Sequence, residues 1–241
     1  SVCEQFSLSS RKIEEFKQFS RMAAKVDNSA VQDGFNLYHH CFVLSEKGDW
    51  IVVQQGMNEK TRYARRYHWL GEEVKDFVEE PQNAICCDSV GNSLNMVAKE
   101  SRESRKASVD LSNEDPGWVM RQLSGQKTLG DFKDLIRYPK RHEVIINKDV
   151  NPQKVRQILL RTYESQINSY EELLGMEGVG PATIRSLSLL SELIYGEELS
   201  WKDPCRYSFC LGGKDGFPYK DRLEHYDEVV GIMQETIKKA K

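Results

Sequence analysis

From Arg11 to Val26 apolar side chains recur at Ile13, Phe16, Phe19, Met22 and Ala23 with Lys and Glu between them. That is the spacing of an amphipathic helix, opened by the serines between Ser7 and Ser10. The period then changes. Leu37 to Ser45 and Trp50 to Met57 are rich in aromatic and β-branched residues, and Glu46-Lys47-Gly48-Asp49 between them suits a short loop, so the pattern predicts a β-hairpin. Helical spacing is read again over 64–77, 94–105 and 130–137, and 143–147 reads as a short strand. Asn113 to Gly117 and Tyr138-Pro139 punctuate this interval. Asn151-Pro152 marks a helix start, with Asn as the cap and Pro in the first turn, where its missing N–H costs nothing. Further on, Ser169 and Glu172 form a capping-box pattern, Gly178 and Gly180 bracket a tight turn, and Pro181 begins a helix running to about Tyr195. The pattern predicts an α+β fold divided near residue 148, with an α+β domain over 1–148 carrying a histidine-bearing hairpin and a helical domain over 149–241.

Length and composition narrow the class. A chain of 241 residues makes one large domain or two small ones and buries its core without disulfides. Hydrophobic residues make up 39% and charged residues 29%, with a mean hydropathy of −0.60. No apolar run approaches the roughly 18 residues of a membrane span, so no membrane partner is expected. Lys and Arg total 34 against 37 Asp and Glu, a net charge of −3, which denies the chain wholesale electrostatic capture of nucleic acid. The start, Ser1-Val2-Cys3-Glu4, has no signal-peptide pattern, and a cytoplasmic location is the expectation. The six cysteines stand at irregular spacings and read as reduced thiols; Cys205 and Cys210 have a metal-ligand spacing but no second pair.

The turn around the two glycines carries the clearest chemistry. It directs backbone N–H groups and a positive helix end outward, with no side chains in the way of a phosphate, so it suits a sugar-phosphate backbone without reading bases. Met176, Gly178, Val179, Gly180, Thr183, Ile184 and Leu187 resemble the helix-hairpin-helix motif of DNA repair and processing enzymes. The resemblance implies DNA contacts from Gly178, Val179, Gly180, Ala182 and Thr183, beside a monovalent cation held on hairpin carbonyls. An ordinary αα-corner is the alternative. Acidic residues slightly outnumber basic ones over 151–241, so any DNA contact is narrow.

The chain as a whole resembles the domain of unknown function 763 family. The segments that carry the likeness are Ser20-Arg21, Ala24 to Asn28, Gln32-Asp33-Gly34, Leu37 to His40, Val53 to Asn58, Ala64 to Trp69, Phe77 to Pro81 and Gly212 to Gly216. The resemblance runs over nearly the whole chain and implies that it corresponds to the C-terminal two-thirds of a member. Gln82 and Leu211 stand where the family pattern has histidine. A divalent-metal site of the family is therefore expected to be weakened here, with His40, His68 and His142 as the remaining imidazole candidates and Asp33 as the nearest carboxylate.

Three further groups complete the candidates. Arg65 and Arg66, interleaved with Tyr63, Tyr67, His68 and Trp69, suit phosphate contact with base stacking, or else form a solvated helix face. Asp203 follows the glycine turn at about the range at which helix-hairpin-helix DNA glycosylases place a catalytic Asp; an Asp before Pro204 is also an ordinary turn residue. Lys214, in Gly212 to Gly216, is a further phosphate candidate. Non-specific DNA binding in repair or processing is the leading expectation, with Asp33, His40, His68 and Asp203 as catalytic candidates if the chain is a metal-dependent nuclease. A noncatalytic nucleic-acid-binding module, a monofunctional glycosylase using Asp203 and a protein–protein scaffold are the alternatives.

Overall fold

A computed structural model describes residues 9–125, 152–206 and 230–231. The chain divides into a unit over Ser1–Ser208 and another over Phe209–Lys241. Helix α1, Ser10–Lys25, opens where Ser9 Oγ accepts the Lys12 N–H at 3.3 Å. It buries Phe16, Met22 and Ala23, and a π-helical turn over Val26–Ala30 carries the same buried face onward.

The hairpin forms as β2, Asn36–Leu44, and β3, Trp50–Met57, after a two-residue strand β1, Val31–Gln32. Strands β4, Ala64–Leu70, and β5, Ala84–Cys86, complete an antiparallel sheet in the order β2-β3-β4-β5. Strand β6, Leu94–Asn95, pairs antiparallel with β1. Along β3 and β4 alternate side chains are buried: Trp50, Val52 and Gln54, then Arg65, Tyr67 and Trp69. Between this face and α1 lies an aromatic cluster in which Phe19 and Trp50 have ring centroids 5.3 Å apart and Phe42 and Trp50 stack at 5.6 Å.

Further α-helices follow. Helix α2 spans Arg102–Asn113, α3 Pro116–Gly125, α4 Pro152–Ser165, α5 Tyr170–Gly175 and α6 Pro181–Leu190, which a π-helical turn over Ser191–Tyr195 extends. Helix α6 is buried from Thr183 to Leu190. Its serines are tolerated there because Ser186 and Ser188 donate their hydroxyls back to Ala182 O and Ile184 O, at 2.9 and 2.8 Å. On α2, Ser104, Ser108 and Ser112 make a small buried stripe at i, i+4 and i+8 that lets the helix approach α6.

Two expected helices are corrected. Residues 64–70 form β4, because Arg65, Tyr67 and Trp69 alternate inward; a charged residue at an inward position disguised the two-residue period. Over 94–105, Leu94 and Asn95 pair with Val31 and Gln32 instead, a 3-10 turn occupies Lys99–Ser101, and the helix begins only at Arg102. The segments 130–137 and 143–147 lie outside the described residues, as does residue 148. Elements on both sides of residue 148 share one core: α1 packs on α5, and α2 packs on α6. No described helix is long and apolar enough to cross a membrane.

Candidate functional site

Local sequence builds the glycine turn. Ser169 Oγ accepts the Glu172 N–H at 3.1 Å, and Glu172 Oε2 reaches back to the Asn168 N–H at 2.8 Å, a capping box displaced by one residue. Helix α5 stops at Gly175, Gly178 lies exposed at φ +88, and Gly180 in extended conformation takes the N-cap position of α6 with Pro181 after it. Gly180 brings no capping side chain, so no side-chain cap covers the opening N–H groups of α6 at Ala182 and Thr183. Ala182 is half-buried, while the side chains of Val179 and Thr183 pack inward.

The carbonyl side of the same turn is held by α1. Lys25 Nζ donates to Val179 O at 2.7 Å and to Met176 O at 3.3 Å, and Arg21 Nη2 donates to Gly175 O at 2.9 Å. Burial and the neighbouring Arg21 lower the Lys25 pKa. A monovalent cation on those carbonyls would have to displace an ammonium group already there. Gln32 ties the second helix in, donating to Pro181 O at 2.8 Å and accepting from Arg185 Nε at 2.8 Å. Arg161, exposed on α4, reaches within 3.9 Å of the position a β-carbon on Gly178 would take.

Beside this turn the segments that carry the family resemblance converge on buried polar groups. Arg65, 1% exposed, donates to Asp33 at 2.9 Å and to both oxygens of Asp203 at 2.9 and 2.8 Å, and it lies 4.4 Å from the Phe35 ring centroid. Asp33 also accepts from Tyr67 Oη at 2.6 Å and from the Phe35 N–H, and Asp203 from the N–H groups of Gly91 and Cys205. Burial works against the Arg65 charge, but Asp33 and Asp203 outweigh it and hold the guanidinium above its ordinary pKa. Burial and Asp33 push the Tyr67 phenol well up. Arg65 is thus corrected from a DNA contact to a clamp between β4 and the loop at Asp203, since a guanidinium with three carboxylate bonds and no surface reaches no phosphate. Asp33 and Asp203 do come together, but as the anions of that clamp with their oxygens engaged.

A second network runs next to it. Asp27, fully buried, accepts from Gln82 Nε2 at 2.6 Å, from Trp69 Nε1 at 2.9 Å and from Gln54 Nε2. Burial pushes its carboxyl up to about 7 although these three donors favour the charged form; Asp33 adds to the rise. Gln54 Oε1 meets His40 Nδ1 at 2.9 Å, and His40 Nε2 meets Ser20 Oγ at 2.8 Å. At its other end the network reaches Gln82 in the wall of a cavity of about 260 Å³, where Asn95, Lys202, Asp203 and Arg206 also stand.

The register separates the metal candidates. His40 lies opposite Gln54, and Gln54 opposite Tyr67, on the inward face, whereas His68 lies opposite Val53 and Ala84 on the outer one. His40 and His68 therefore cannot share an ion. Burial, with Arg66 beside it, lowers the His68 pKa. Among the described residues no group of three or more His, Cys, Asp or Glu side chains could hold a metal ion, and Cys41 and Cys87 are free thiols. Arg66 is half-buried on the outer face. His142, Lys214 and Cys210 lie outside the described residues. Ser20, Lys25, Asp27 and Gln54 were not singled out as site residues from the sequence, although all four stand in the segments that carry the family resemblance.

The family model described as "Protein of unknown function (DUF763)" matches residues 1–220. No curated protein and no solved structure matches the chain.

Proposed function

The chain belongs to the DUF763 family, whose description states no activity, and from its own residues we propose that α5, the glycine turn and α6 form a helix-hairpin-helix that binds the DNA backbone without sequence specificity, in DNA repair or processing within the cytoplasm. The observation that carries this reading is the turn itself: α6 opens with Ala182 and Thr183 N–H groups that no side chain caps, at a glycine whose added β-carbon would meet nothing within 4 Å. An anion suits such an end, because the helix dipole and the unpaired donors act together. Lys25 and Arg21 on the carbonyl side and Arg161 near the tip bring positive charge to the turn, against the exposed Glu177 within it, in a chain whose net charge is −3. Arg66 remains a further phosphate contact on this reading.

The test is a titration of fluorescent duplex DNA followed by anisotropy at several salt concentrations. Contact with about two or three phosphates predicts a slope of log affinity against log salt of about −2 to −3, equal for unrelated sequences. Absence of binding at low salt, or a steep slope of a broad basic face, contradicts the reading.

A further inference from the structure

In the middle of a helix a serine hydroxyl ordinarily donates to the carbonyl four residues back, as Ser186 and Ser188 do on α6. Ser20 on α1 departs from this: its Oγ lies 2.8 Å from His40 Nε2 on the adjoining β2 edge. The network behind His40 decides the tautomer. The Gln54 amide NH2 donates to Ala23 O at 3.1 Å and to Asp27, and the backbone carbonyl of Ala23 has no proton to give in return. Its carbonyl oxygen therefore faces His40, and an acceptor there requires the proton on Nδ1. Neutral His40 then presents the Nε2 lone pair to the Ser20 hydroxyl. Ser20 is half-buried and His40 exposed, so both are reachable from solvent.

A hydroxyl within hydrogen-bond reach of an imidazole, whose other nitrogen is oriented by a fixed acceptor, is the arrangement of an activated nucleophile. We propose that Ser20 and His40 are a nucleophile and its general base for transfer at an ester phosphorus. Ser20 Oγ forms the bond to phosphorus as its proton passes to His40 Nε2. The bond from phosphorus to the leaving alkoxide breaks, and that alkoxide takes the proton from His40. Gln54, held by Asp27, is the positioning residue that keeps His40 in one tautomer. Lys17, three residues before Ser20 and paired with Glu14 at 2.7 Å, and Arg21, one after it and donating to Gly175 O, bring positive charge to the stretch around the hydroxyl, which suits a phosphate ester better than a neutral acyl group.

The experiment treats the full chain with a biotinylated fluorophosphonate and maps the adduct by peptide mass spectrometry. The expected result is a single adduct on Ser20, formed faster at pH 8 than at pH 5, absent in Ser20→Ala and slowed about 100-fold in both His40→Ala and His40→Gln, since general-base catalysis contributes about 10²–10⁴. Circular dichroism of each variant establishes that it is folded. No adduct on the folded wild type, an adduct elsewhere, or a rate unchanged by either His40 substitution overturns the proposal. The probe contains no nucleic acid, so the outcome is independent of the hairpin reading.

Discussion

Arg65 and Arg66 are adjacent in the chain and have opposite environments because successive side chains of a strand point to opposite faces. Arg65 faces inward onto Asp33 and Asp203, where losing one charge leaves the others buried and unpaired. Arg65→Met is accordingly expected to destabilise the chain by about 3–5 kcal/mol in urea unfolding, whereas Arg66→Ala changes stability by no more than about 0.5 kcal/mol. Asp27 sets a second expectation, in pH. Its carboxyl is raised from 3.8 to about 7, so the folded state binds the proton more tightly than the unfolded one. Its contribution is then fully present below pH 4 and is lost as pH rises through about 7. At about 1.4 kcal/mol per unit, the wild type should be less stable at pH 8 than at pH 4 by up to about 4 kcal/mol from this group. Chemical denaturation across this range checks it: Asp27→Asn, although destabilised by its mismatched amide, should lose most of that slope, and an unchanged slope would contradict the assignment.

At the scale of elements, legibility followed locality. The β2–β3 hairpin, α1 and the two helices around the glycine turn were readable because their signals lie within a few residues: Gly48 between two β-rich runs, Ser169 and Glu172 at a cap, Pro181 after Gly180. Strand β4 was misread because Arg65 occupies an inward position that the distant Asp33 and Asp203 make tolerable. The support of the hairpin was equally invisible, since Lys25 and Val179 are 154 residues apart. That support yields its own prediction. Because the Lys25 ammonium already occupies the hairpin carbonyls, the melting temperature of the wild type should not change when potassium is replaced by sodium or tetramethylammonium at fixed ionic strength. Lys25→Met keeps the stem but strips two carbonyls of their donor, and should cost about 1–3 kcal/mol. Part of that loss should return in sodium or potassium but not in tetramethylammonium; a wild type sensitive to the identity of the cation would contradict this account.

The whole molecule brings together what no window of sequence holds. Asp33, Arg65 and Asp203 meet although 170 positions separate the two carboxylates, and the network from Ser20 to Gln82 joins α1, the π-helical turn, three strands and the cavity wall. No local pattern of polarity encodes such a network, because its members stand beside other polar residues, His39 before His40, Gln55 after Gln54 and Asn83 after Gln82, and nothing nearby in sequence marks which of each pair takes part. Sequence did deliver the backbone feature on which the central claim rests, the glycine turn, and Gly180 separates stability from binding there. Its conformation is extended, and a side chain at that position meets no neighbouring atom within 4 Å. Serine is also at least as good an N-cap as glycine, so Gly180→Ser should leave urea stability within about 0.5 kcal/mol of the wild type. Its hydroxyl, however, takes an N–H group of the first turn of α6 and fills the space into which a phosphate would come. The most direct measurement is therefore the affinity of wild type and Gly180→Ser for one fluorescent DNA duplex at low salt, with urea unfolding of both in the same buffer. Equal stability and an affinity at least several-fold weaker in the variant are expected; equal affinity, with both proteins folded, contradicts phosphate binding at this turn.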